Sequence, residues 1–201
     1  MKHLVHTDNR QKADFYLKEY ERLFDRLVDS PVNLLELGVY RGDSLIMWKK
    51  YFTNGNIIGL DLSTDSVPPL PGGIKIYQGD QKDAAILDKI RAENAPAGFD
   101  IIIDDASHIG DLTRKSFWHL FDNHLKPGGI YCVEDWGTGY WSGFEDGKDF
   151  VVGQPHFAGM VGFVKELVDE CGIQDALHAR KSKFERIQIS LGQAFVFKAY
   201  V

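Results

Sequence analysis

The sequence predicts an α/β fold: a doubly wound, mostly parallel seven-stranded sheet finished by a C-terminal antiparallel β-hairpin. Three observations carry that prediction. Short apolar runs alternate with amphipathic stretches from residue 32 to residue 135, as strands and helices taken in turn do. The runs are apolar throughout, "FDIIID" above all, which suits strands buried on both faces of a parallel sheet. Near the C-terminus "FERIQIS" and "QAFVFKAY" are separated only by "LG", the spacing of a hairpin.

The elements follow in order. Residues 11–28 place Tyr16, Tyr20, Leu23, Phe24 and Leu27 on one stripe among Lys, Glu, Asp and Arg, an amphipathic helix. "VNLLELG" reads as the first strand, "SLIMWKKYF" as a helix and "NIIGLDL" as the second strand. "SVPPLPGG" is a loop, because its prolines and glycines break either element. "IKIYQGD" is the third strand, and Asp83 stands where it can cap the helix "DAAILDKIRAEN". "FDIIID" is the fourth strand, "DLTRKSFWHLFDNHL" a helix, "KPGG" a turn and "IYCVED" the fifth strand. "FAGMVGFVKELVDE" is the last helix before the hairpin.

One domain is expected over residues 1–201, with a helical segment at 1–30. Residues 136–156, "WGTGYWSGFEDGKDFVVGQPH", form a long aromatic, Gly-rich loop, expected to serve the active site and its substrate.

Composition narrows the function. With 44% apolar and 26% charged residues the chain has ample core for a globular domain. A net charge of −6, with no Lys/Arg run, opposes a phosphate backbone, so no nucleic-acid partner is expected. The first fifteen residues lack the apolar centre of a signal peptide, and no run approaches a membrane span. Cys132 and Cys171, without a spaced framework, read as free thiols of a reducing cytoplasm.

In open α/β sheets, ligands bind beyond the carboxyl ends of the strands. Strand one ends in "ELGVYRGDS", with Glu36, Gly38, Gly42 and Ser44. The glycines let backbone approach a ligand, and a helix begins near Ser44. A dinucleotide fingerprint would need glycine where Tyr40 and Asp43 stand, and the Gly-Lys-Ser/Thr of a P-loop is absent. Strand two ends in Asp61, 23 residues beyond Gly38, which suits a carboxylate on ribose hydroxyls. Strand three ends in "QGDQ", whose Asp80 and Gln81 suit an adenine amino group. Singly, each is a turn glycine or a cap. Together, at three successive strand ends, they point to a nucleoside-bearing cofactor.

With those residues the chain resembles a class I S-adenosylmethionine-dependent methyltransferase from about residue 7 to its end, the hairpin included. The resemblance implies the Rossmann-like methyltransferase fold.

Strand four delivers Asp104, Asp105 and His108, and strand five delivers Glu134 and Asp135. Adjacent strand ends lie about 5 Å apart. So many carboxylates at one point call for a cation, unless they are exposed helix caps. Oxygen ligands favour Mg2+, with Mn2+ or Ca2+ as alternatives, and zinc is disfavoured. Methyl transfer to a hydroxyl needs that hydroxyl made acidic, which a divalent ion does, and a base, which a neutral His108 provides.

Two groups share this set. Catechol O-methyltransferases also place their base, a lysine, three residues after an aspartate ligand. A stronger resemblance is to the macrolide and tetracenomycin sugar O-methyltransferases, carried by "YERLFDR", "LELGVYRGDSLIMWKKYF", "GLDL", "QGDQ", "IDDASHI", "KPGG" and "EDWGTGYW". That family's early Thr-Asp-Lys reads Thr7-Asp8-Asn9 here.

The resemblance implies Asp105, Glu134 and Asp135 as metal ligands and His108 as base. It implies cofactor contacts at Glu36, Gly38, Tyr40, Gly42, Ser44, Asp61, Leu62, Gly79, Asp80, Gln81 and Asp104. The expected activity is S-adenosylmethionine- and metal-dependent O-methylation of a sugar-bearing or polyhydroxylated small molecule. A catechol or phenol acceptor, or a non-catalytic cofactor-binding domain, stands as the alternative, and self-association is left open.

Overall fold

The computed structural model describes Leu4, residues 12–172 and residues 182–200; Thr7-Asp8-Asn9 lies outside them. Seven strands form one sheet: β1 (Asn33–Leu37), β2 (Asn56–Asp61), β3 (Ile74–Gln78), β4 (Phe99–Asp104), β5 (Leu125–Glu134), β6 (Phe184–Ile189) and β7 (Gln193–Lys198). Their order is β3-β2-β1-β4-β5-β7-β6. The first five run parallel, and β7 enters antiparallel between β5 and the edge strand β6. The expected doubly wound sheet and terminal hairpin are both present.

Alternate residues of the central strands feed two cores. Leu34, Ile101 and Ile103 face a core built with α1 (Asp14–Phe24) and α2 (Asp43–Tyr51). Leu35, Leu37 and Ile102 face one built with α3 (Ala84–Asn94), α4 (Gly110–Asn123) and α5 (Gly159–Gly172). This is why "DIIID" needs no polar alternation: both faces of β4 are covered, and Ile101, Ile102 and Ile103 are fully buried. The run ends where the cover ends, and there the aspartates begin.

Three expectations are adjusted. "KPGG" is not a free turn but part of β5. Phe99 pairs with Leu125 and Ile101 already pairs with Ile130, so these residues bulge within the strand. The N-terminal helix stops at Phe24 and tightens into a 3-10 turn, Asp25–Leu27. The 136–156 loop is not wholly irregular, since Trp136–Tyr140 and Glu145–Gly147 form 3-10 turns. Asp83 caps α3 as expected, accepting from the Ala85 amide at 2.9 Å. Cys132 and Cys171 are free thiols, and no helix among the described residues is long and apolar enough to cross a membrane.

Candidate active site

The chain leaves the sheet centre at β1, winds to β3 and returns at β4, so β1 and β4 form the switch point. The carboxyl ends there open into a cavity of about 590 Å3, lined by Gly38, Tyr40, Ser44, Asp61, Asp105 and His108 among others. It continues into a slot of about 190 Å3 walled by Leu62, Gly79, Asp80, Gln81 and Leu112. Gly38, Asp61 and Ala106 line both. Gly38 is required: a Cβ there would sit 2.1 Å from the Asp105 carbonyl oxygen, and its φ is +87°.

Asp61 organises the turn after β1. Its Oδ2 accepts from the amides of Val39 (2.7 Å) and Tyr40 (2.8 Å), and its Oδ1 accepts from Ser63 (3.1 Å). Gln81 donates to Asp104 (3.2 Å) and Ser116 (3.1 Å) and accepts from the Ser107 amide (3.2 Å). Asp104 itself lies behind the wall, receiving hydrogen bonds from Ser116 (2.8 Å) and Tyr131 (3.0 Å). Burial nonetheless raises its carboxyl to about 6. Glu36 and Gly42 also line neither space: Glu36 is fully buried, and Gly42 forms the left-handed cap of α2.

On the other side of Asp105 lies a second cavity of about 560 Å3, lined by Phe15, Tyr16, Glu134, Asp135, Trp136 and Trp141 among others. Asp105 and Lys12 belong to both large cavities and form the wall between them. Asp105, His108 and Asp135 each bring one ligand atom within 4.8 Å of the others. Glu134 is set deeper and fully buried, held by Tyr20 Oη and by Lys12 Nζ at 2.5 Å.

Among non-glycine residues described, only Tyr40, His108 and Asp135 have positive φ, near +50°. All three were singled out from sequence and sit at strand ends of the site. Such backbone costs about 1 kcal/mol or more each and persists where surrounding structure dictates it.

Sequence reasoning missed Lys12, and it took Tyr16 and Tyr20 only as members of an apolar stripe. Lys12 is buried with its Nζ at 2.9 Å from Asp105, 2.5 Å from Glu134 and 3.3 Å from Glu36. Burial opposes its charge, but Glu134, Asp105 and Glu36 together outweigh burial and hold it well above the usual lysine value. Burial pushes Glu134 and Glu36 upward, against the pull of Lys12. Asp105, nearer solvent, ends below its ordinary value because Lys12 offsets its desolvation. The available signal was a lysine four residues before Tyr16 and eight before Tyr20, although the helix itself begins only at Asp14.

The residues fit a nucleoside cofactor and a hard divalent ion. The narrow slot beside the larger cavity offers apolar walls and a carboxylate at its mouth. The carboxylates of Asp105 and Asp135 with the imidazole of His108 form a small oxygen-rich donor set. The His108 Nδ1 is buried without a hydrogen-bond partner.

No family model matches the chain. It is 40% identical over 163 residues to mycinamicin VI 2''-O-methyltransferase of Micromonospora griseorubida, covering 77% of this chain and 39% of the relative. It is 35% identical to 8-demethyl-8-alpha-L-rhamnosyl tetracenomycin-C 2'-O-methyltransferase of Streptomyces olivaceus, covering 83% and 43%. The chain thus spans about two fifths of the length of these curated relatives. A solved structure of the MycE methyltransferase, in complex with Mg, SAH and mycinamycin VI, superposes with a TM-score of 0.77 at 35% identity over 97% of this chain and 51% of that one. The sheet order, the strand-end residues and these likenesses agree: the chain has the class I methyltransferase fold and is a homologue of the macrolide and tetracenomycin sugar O-methyltransferases.

Proposed function

We propose that this chain is the methyl-transferring part of an S-adenosylmethionine- and divalent-metal-dependent O-methyltransferase, acting on a hydroxyl of a sugar-bearing natural product. The observation that carries the reading is the wall at Asp105: one large cavity carries the cofactor residues, the other the aromatic residues, and the acids and His108 lie where they meet. Homology to sugar O-methyltransferases favours a glycosylated acceptor over a catechol.

In this reading Gly38, Tyr40, Ser44 and Asp61 bind the amino-acid and ribose parts of the cofactor, and Leu62, Gly79, Asp80 and Gln81 its base. Glu36, Gly42 and Asp104 act from behind, fixing the turn and the strand ends. Asp105 and Asp135, with Glu134 beneath, hold the metal. When bound, the cofactor supplies an electrophilic methyl group and the metal acidifies the acceptor hydroxyl. His108 would receive the hydroxyl proton as the acceptor oxygen takes the methyl group, the methyl–sulfur bond breaking so that S-adenosylhomocysteine leaves as a neutral thioether. Trp136, Tyr140 and Trp141 supply flat apolar surfaces on which a sugar or ring can rest.

The test is transfer of a labelled methyl group to glycosylated polyketides and to catechols, with and without chelator. Label in a glycosylated acceptor, lost on chelation and restored by Mg2+, is expected. Label in catechols alone supports the phenol alternative. Cofactor binding with no transfer to any hydroxyl contradicts an enzymatic role.

A further inference from the structure

All three carboxylates assigned to the metal are already engaged by one segment of the chain. Lys12 Nζ contacts Asp105 Oδ2 at 2.9 Å and Glu134 Oε2 at 2.5 Å. Tyr16 Oη donates to Asp135 Oδ1 at 2.5 Å, and Tyr20 Oη donates to Glu134 Oε1. Tyr16 and Tyr20 stand four residues apart on one face of α1, and Lys12 immediately precedes its extended N-cap, Ala13. The N-terminal helix and the residue just before its cap therefore lay three donors across the acids.

The two kinds of donor behave differently toward a cation. A tyrosine hydroxyl is neutral and can keep one oxygen of a carboxylate while the other turns to a metal. An ammonium cannot share so easily. It is positive, its side chain is only 4% exposed, and it rests on oxygens of two of the three assigned ligands. Two cations held by the same buried oxygens repel strongly where solvent does not screen them. A divalent ion also asks for about six oxygens around it, and Lys12 covers two of those the site can give.

We infer that Lys12 is a tethered cation occupying the inner half of the metal seat, and that a divalent ion loads fully only by displacing it. The inference rests on the reading of Asp105, Glu134 and Asp135 as metal ligands. Without metal, Lys12 holds Glu36, Asp105 and Glu134 together and closes the wall between the two cavities. The rim of the seat, formed by Asp135, His108 and the outer oxygen of Asp105, gives an arriving ion its first contacts. Once the ammonium leaves, Glu134 is freed on one oxygen and the wall between the cavities loses a residue common to both.

The experiment measures Mn2+ binding by the loss of its free electron-paramagnetic signal, without acceptor or turnover, in the native chain, Lys12→Met and Asp105→Asn. Lys12→Met is expected to bind Mn2+ at least about tenfold more tightly, an ordinary size for coupling between competing ligands. Its melting temperature should be lower than the native chain's without metal and should rise more on adding Mn2+. Equal or weaker Mn2+ binding by folded Lys12→Met overturns the inference while leaving the metal site standing. If neither chain binds Mn2+, the metal reading fails and Lys12 is only the partner of buried acids.

A second measurement uses the native chain, in case Lys12→Met does not fold. Acylation of lysines, followed by mass spectrometry, should find Lys12 protected without metal and labelled faster with saturating Mg2+. Lys12 labelling that ignores a metal shown to bind overturns the displacement.

Discussion

At the scale of single residues, His108 combines a positive φ, a buried Nδ1 without a partner and a place beside Asp105 and Asp135. A base that only collects a proton should be separable from cofactor and metal binding. His108→Ala is expected to lower kcat by roughly 10²–10⁴-fold. Affinities for S-adenosylhomocysteine and Mn2+, read by calorimetry, should stay within a few-fold; near-full turnover in the variant would assign the proton to another group.

Asp104 makes a pH-dependent prediction. Its folded carboxyl, raised by burial to about 6 from 3.8, holds a proton more tightly than the unfolded chain does. Its stabilising contribution is therefore complete below 3.8 and lost as pH rises through 6, a loss of at most about 3 kcal/mol. Urea unfolding of Asp104→Asn, with chelator present, should lack that part of the decline, and an unchanged slope would contradict it. These strand-end acids were legible because charge ending an apolar run such as "DIII" marks either a helix cap or a site, and several met at adjacent strand ends. Lys12 was not, because its partners Asp105 and Glu134 lie 93 and 122 residues away and only the folded sheet brings them to it.

At the scale of elements, the loop after β5 is tied down by one side chain. Asp146 Oδ2 accepts from the Gly110 amide at 2.6 Å and the Met160 amide at 2.8 Å, so it caps the starts of α4 and α5 together. The helix dipoles favour a carboxylate there. The loop is thereby fixed to the helix that follows His108 and carries Trp136 to Trp141 along the second cavity.

Asp146→Ala should cost about 1–2 kcal/mol, the usual worth of a cap. It should also speed amide hydrogen exchange across residues 136–150 while S-adenosylhomocysteine affinity holds. Unchanged exchange there would show that the aromatic contacts, Tyr140 with Phe150 among them, hold the loop unaided. The loop's length and composition marked it in the sequence; its anchor did not show, because Asp146 reads like any turn acid. The "KPGG" turn was misplaced for a similar reason, since Pro and Gly in a bulged strand have the same letters as Pro and Gly in a turn.

At the scale of the whole molecule, the sheet order explains why the site lies at one place. Winding outward to β3 and back to β4 sets the ends of β1 and β4 side by side, and β5 follows with Glu134 and Asp135. The helix α1 covers the face shared by Leu34 and Ile103, which brings Lys12, Tyr16 and Tyr20 over the same strand ends. The fold was legible because each apolar run was long enough to be a doubly covered strand and the hairpin spacing was short. The central claim is that cofactor sulfur and divalent ion meet across Asp105. Its most direct test is a crystal grown with S-adenosylhomocysteine and Mn2+ and examined for anomalous scattering. A manganese peak at about 2.0–2.6 Å from oxygens of Asp105 and Asp135, with the sulfur in the cavity lined by Gly38 and Ser44, is the predicted result. Manganese absent from those carboxylates at saturating concentration, or the sulfur lodged elsewhere, would contradict the account.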